Sequence, residues 1–140
     1  MSSALDRLKN LTTNITSYER TRKENLEDLE ILFYMLELDQ KVTDFSDLFE
    51  FKAINLSAIS LANENFGEVK EGKYAQLIAI KYDKEAKVKS KNISLRYFGR
   101  AEKVEEELKS QILAFVIRWR FEKSFMTLEH YNGVLRKLKT

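Results

Sequence analysis

Apolar residues recur every three or four positions at both ends of this chain and every second position only near its middle, so long helices flank a short β region. In the last third, Val104, Leu108, Ile112, Phe115 and Trp119 form one helical stripe, and Ala114, Ile117, Phe121, Phe125 and Leu128 form a second that overlaps it. A helix advances about 100° per residue, so the shared turns are apolar almost all the way round. The spacing predicts a helix over 101–132, ended near Gly133, with more apolar surface than one small core absorbs. The early stripe is expected to cover neighbouring strands. The later one is expected to meet another helix, from this chain or from a partner.

Only Arg118 and Arg120 interrupt those turns. They lie about 200° apart around the axis, so at least one runs along a packed surface. Either its aliphatic stem covers apolar area, or its guanidinium meets an acidic or phosphate group of a partner.

The other end predicts a helix over 4–38. Ser2 or Ser3 is its N-cap, and Leu8, Leu11, Ile15, Tyr18, Leu29, Leu32 and Leu36 keep heptad-like spacing. Arg22 and Asn25 break this stripe, either as polar positions in a coiled-coil seam or at a bend. The charge-dense run 19–30 reads as a solvated face.

Residues 44–62 are ambiguous. Asp47, Phe51, Ile54, Ala58 and Leu61 suit one helix face, whereas Phe49, Phe51 and Ala53 alternate as in a strand; the helix is favoured. Residues 63–72, with two glycines, predict a polar loop. Residues 74–82 and 92–98 predict an antiparallel hairpin, the first strand apolar on both faces and therefore sandwiched. In the second strand Ile93, Leu95 and Tyr97 are expected opposite Ser94, Arg96 and Phe98, with Gly99 ending the strand. Two strands alone are marginal, so a third strand or a partner is expected. The fold class is α+β, mostly helical, with long N- and C-terminal helices flanking a short antiparallel β-hairpin or small sheet.

Composition narrows the classes of function. With 140 residues, 44% hydrophobic and 33% charged, the chain suits one folded domain over 1–140. A net charge of +2 does not by itself call for nucleic acid or an anionic membrane. The absence of cysteine excludes disulfides, thiolate metal sites and cysteine nucleophiles. Charges in the first residues argue against a secretory signal, and no run approaches the roughly 20 apolar residues of a membrane span. An intracellular protein outside any membrane is expected. On that reading the glycosylation-type triplets at Asn10, Asn14, Asn55 and Asn92 are chance matches.

Catalytic patterns are sparse. His130 is the single histidine, which leaves neither a serine–histidine pair of recognisable form nor a histidine-based zinc set. Gly67 and Gly72 lack the lysine and hydroxyl of a phosphate loop. Glu50-Phe51-Lys52, Glu68-Val69-Lys70 and Glu85-Ala86-Lys87 match the short triplet of a magnesium nuclease, but none follows an obvious acid-bearing strand. No enzymatic activity and no cofactor are expected.

Two binding readings remain. The leading one is a non-enzymatic assembly or adaptor protein, a homo-oligomer (dimer) or part of a heteromeric complex. Its surface would be Ile117, Arg118, Trp119, Arg120, Phe121, Phe125, Met126 and Leu128, a composition typical of interface centres. The alternative is nucleic-acid binding through Lys84, Lys87, Lys89, Lys91, Arg96 and Arg100, with aromatics interleaved. Lysines on a strand edge also guard against aggregation, which competes with that alternative. Acidic residues at the start of the C-terminal helix and Arg136, Lys137 and Lys139 at its end match the helix dipole, so they count for no ligand.

Overall fold

The computed structural model describes residues 3–82 and 90–138, with side chains described for all of these except 11–16 and Ser90. In chain order the main elements are α1 (Ala4–Met35), β1 (Ala53–Ser57), β2 (Tyr74–Tyr82), β3 (Ser90–Arg100) and α2 (Glu106–Leu138). Short 3-10 turns at Leu38–Gln40, Phe45–Glu50, Asn63–Asn65 and Ala101–Lys103 connect them. The class is α+β. Among the described residues no helix is long and apolar enough to cross a membrane.

Ser3 is the N-cap of α1. Its hydroxyl accepts from the Asp6 N–H at 3.1 Å while the Asp6 carboxylate accepts from the Ser3 N–H at 3.4 Å, a reciprocal capping box. The helix stops at Met35, short of the expected Leu38, because Glu37 turns left-handed with φ 57° and starts a 3-10 turn. Arg96 reaches across from β3 to cap this end, its Nη1 donating to the Leu36 carbonyl at 2.8 Å. A cation there complements the negative end of the helix dipole.

The expected helix over 44–62 is not formed. A 3-10 turn at Phe45–Glu50 leads into β1, which supplies the third strand that a hairpin alone lacked. Pairing decides the matter: Ile54 lies opposite Ala79 and Leu56 opposite Leu77, so alternate residues enter the core and the helical spacing counts for nothing. The sheet is antiparallel in the order β1-β2-β3.

β3 does not alternate as its sequence suggests. Its register against β2 jumps twice, from Gly99 to Tyr97 and from Arg96 to Ser94, so Phe98 and Leu95 are the extra residues of two bulges. Leu95 and Phe98 therefore both pack inward, while Tyr97 turns to the opposite face from Leu95. The strand also continues past Gly99 to Arg100.

The core lies between the inner sheet face and the two helices. Leu29 and Phe33 of α1 and Leu36 just beyond it meet Ile54, Leu77, Ala79 and Leu95 of the sheet and Ile112, Phe115, Val116 and Trp119 of α2. Val104 and Leu108 pack on the same cluster, so the early C-terminal stripe does face the sheet. α2 runs to Leu138 rather than ending near Gly133, since an isolated glycine in a long helix costs only about 1 kcal/mol. β2 is not sandwiched. Ala75, Leu77 and Ala79 are fully buried, whereas Ile78 and Ile80 on the other face are half-buried and lie outside the core.

Candidate interaction surfaces

The two long helices are antiparallel where they touch, because contacts that climb α1 descend α2. Tyr18 meets the Phe125 ring edge-on at 4.8 Å between centroids, Arg22 meets Glu122, and Asn25 meets Arg118. Arg22 and Asn25, the polar breaks in the α1 stripe, thus mark a polar layer against the chain's own α2. The Arg22 Nε donates to both Glu122 oxygens at 2.7 and 3.2 Å, and its Nη1 pairs with Glu129. The Asn25 amide donates to the Arg118 carbonyl at 2.9 Å and accepts from the Arg118 guanidinium at 3.1 Å. Such a layer fixes the register of two helices more than it stabilises them.

This arrangement divides the predicted interaction set. Trp119 is buried, its indole N–H donating to the Leu48 carbonyl at 2.8 Å, and Phe125 is buried against Tyr18. Both are core residues, with aromatic area turned inward. Arg118 bonds Asn25 and lies 3.5 Å from Asp28, while Arg120 donates to the Ile54 carbonyl and Asn55. Both arginines therefore bond their own chain, Arg118 half-buried and Arg120 exposed. Ile117, Phe121, Met126 and Leu128 remain exposed.

Those exposed residues begin a longer pattern. Ile117, Phe121, Ser124, Leu128, Tyr131, Leu135 and Leu138 follow one another at spacings of 4, 3, 4, 3, 4 and 3, and all seven are exposed. That is a coiled-coil seam of three heptads. The sequence stripe ended at Leu128; continuing the spacing finds Tyr131 and, beyond Gly133, Leu135 and Leu138. At its head end the seam borders a groove of about 430 Å³ lined by Phe66, Leu113, Ala114, Ile117 and Phe121.

The basic set is scattered. Lys84, Lys87 and Lys89 lie outside the described residues, and Lys91 is exposed at the end of β3 opposite Lys81. Arg96 is turned to the Leu36 carbonyl and stacks over Phe98 at 4.8 Å. The Arg100 Nε lies 2.8 Å from Glu102, which also accepts from the Gly72 N–H at 3.1 Å. Hydrogen bonds from the Glu102 backbone and Gly72, with the Arg100 charge, hold this exposed carboxyl below its ordinary value of 4.5. A group lowered in the folded state contributes its stabilisation above 4.5 and loses it as pH falls through the lowered value. The Gly72 amide resonance is accordingly expected to titrate with a midpoint below 4.5 in an NMR pH series.

His130 is exposed on α2, its ring 5.6 Å from Tyr131. Of the acid-x-lysine triplets, Glu50 and Lys52 flank the start of β1, Glu68 and Lys70 lie in the connection to β2, and Glu85 and Lys87 lie outside the described residues. No family model, curated protein or solved structure matches this chain.

Proposed function

We propose that this is a non-enzymatic assembly protein that self-associates by pairing the α2 seam with the same seam of a second copy. The observation that carries the reading is the unbroken run of seven exposed heptad positions from Ile117 to Leu138. At 1.5 Å per residue it extends roughly 32 Å, a length suited to a three-heptad helix pair. Soluble monomers rarely expose contiguous apolar surface on this scale.

An antiparallel pairing suits the residues best. About a twofold axis at Leu128, Ile117 meets Leu138 of the second copy, Phe121 meets Leu135, and the small Ser124 meets the large Tyr131. The partner's C-terminal leucines then approach the groove beside Phe66. Such an isologous contact closes on itself as a dimer.

Light scattering at tens of micromolar tests the reading. A dimer is expected, converted to monomer by Leu128→Glu or Leu135→Glu with an unchanged circular dichroism spectrum, because both side chains are exposed. The chain contains no cysteine, so disulfide trapping reports orientation: Ser124→Cys mixed with Tyr131→Cys is expected to cross-link, and Ser124→Cys alone is not. A strict monomer would sink self-assembly.

A further inference from the structure

The sheet has one covered face and one open face. Residues opposite one another in the register share a face, which places Ala53, Asn55 and Ser57 of β1 with Gln76, Ile78 and Ile80 of β2, and Asn92, Ser94 and Tyr97 of β3 beside them. Tyr74 and Tyr82, at the two ends of β2, complete the set by alternation. Among the described residues no core residue belongs to this face, since the packed clusters draw on the other one.

Its chemistry is selective. The face carries three tyrosines, all more than half exposed: Tyr74 at 56%, Tyr82 at 62% and Tyr97 at 56%. Tyr74 and Tyr97 stack on each other with centroids 5.8 Å apart and an interplanar angle of 30°, which leaves the outer side of the pair open to a further ring. Tyr82 stands at the far end of the strand, roughly 26 Å away at about 3.3 Å per residue. Between them lie the amides of Asn55, Gln76 and Asn92, the hydroxyls of Ser57 and Ser94, and half-buried Ala53, Ile78 and Ile80, with the Gln76 amide donating to Ser94 at 2.5 Å.

None of the twelve described side chains on this face, Arg100 opposite Tyr74 included, is a carboxylate, although the chain has 22 acidic residues. Cations stand at both ends. Lys73 precedes Tyr74, Arg100 lies opposite Tyr74 in the register, and the Lys52 ammonium sits 5.6 Å from the Tyr82 ring centroid. Glu102 takes part of the Arg100 charge, so the phosphate-binding strength rests mainly on the lysines.

We propose that this open face binds single-stranded nucleic acid, with bases stacking on the exposed rings of the Tyr74–Tyr97 pair and on Tyr82 and with Lys52, Lys73 and Arg100 meeting the phosphates. Three features select this ligand. Flat rings spaced along a strand accept unpaired bases of any sequence, interspersed amides offer hydrogen bonds to base edges, and a face free of carboxylates with lysines at both ends favours a polyanion. A protein surface would match the rings but not the charge. A duplex would keep its bases from the rings. The inference does not depend on self-assembly, because the α2 seam and the open sheet face are separate sets of residues.

Fluorescence anisotropy with labelled oligothymidine and oligouridine of about 12 nucleotides, within the span such platforms cover, tests it on the full chain. Binding at low salt is expected, weakening as salt rises. Tyr74→Ala and Tyr97→Ala are each expected to weaken it roughly tenfold, the scale of one lost base–aromatic stack, while Tyr97→Phe keeps the ring and binds as the parent does. A matched duplex is expected to compete poorly. Leu128→Glu, which breaks the α2 seam, is expected to leave each chain's affinity unchanged, so the two proposals can fail separately. If either alanine variant melts early, Tyr82→Ala and Lys52→Gln at the other end repeat the measurement. No binding at low salt, tyrosine variants that bind like the parent, or a duplex that binds equally well would overturn the proposal. A change of oligomeric mass in Tyr97→Ala without a change in affinity would also overturn it, marking the face as a protein contact.

Discussion

Replacing Trp119 with alanine is expected to lower stability by about 4 kcal/mol, the usual cost of removing a large aromatic from a close-packed core. The indole is 3% exposed and packs in the cluster that joins α1, the sheet and α2. Its N–H is also the donor that satisfies the Leu48 carbonyl, at 2.8 Å, within the 3-10 turn Phe45–Glu50. Alanine leaves both a cavity and an unpaired buried carbonyl. For a chain of this size a loss of that order lowers the melting temperature by roughly 10–15 °C, readable by circular dichroism. Trp119→Phe keeps most of the apolar volume and is expected to cost less, about 2 kcal/mol, mainly through the lost hydrogen bond. A loss below about 1 kcal/mol for Trp119→Ala would contradict its place in the core and return it to the surface set.

Glu122→Ala is expected to cost about 3 kcal/mol, the lower end of the range for breaking a buried ion pair. Glu122 is 2% exposed, and its Oε1 meets two nitrogens of the Arg22 guanidinium, Nε at 2.7 Å and Nη2 at 2.6 Å. Removing it leaves Arg22 in the helix interface without its main partner. Arg22 keeps some solvent and Glu129, which is why the low end of the range applies. The double variant Arg22→Met with Glu122→Leu removes both charges together and is expected to regain most of the loss. Urea denaturation of Arg22→Met, Glu122→Leu and the double variant gives the coupling directly. If the double variant is as unstable as Glu122→Ala, the packing of these helices does not tolerate an apolar layer there. In that case the polar pair carries shape as well as charge.

These two residues show where sequence patterns stop being readable. Trp119 falls on an apolar stripe and also in a composition typical of interfaces, and spacing alone does not say which side of the helix the chain will cover. Arg22 and Asn25 stand out as breaks in a leucine stripe, but their partners, Glu122 and Arg118, are about 100 residues away. Residues 51–57 alternate and also keep helical spacing; only the strand beside them chooses. In β3 two bulges shift Leu95, Tyr97 and Phe98 relative to strict alternation, and bulges follow from the register with β2 rather than from β3 itself.

By itself the sequence determined the α+β class, the capped start of α1, the positions of β2 and β3, and the surplus of apolar surface on the C-terminal helix. These follow from local periodicity and turn chemistry, which act within a few residues. Tertiary structure decided how that surplus is divided. Once α1 covers Phe125 and the sheet covers Trp119, the stripe from Ile117 to Leu138 is what remains outside. It likewise decided that β1 is a strand and that both helices pack on one face of the sheet, so that Tyr74, Tyr82 and Tyr97 share the open one. The reason is the same in each case. Which face of an element is buried depends on the neighbour it meets, and that neighbour lies far away in the chain.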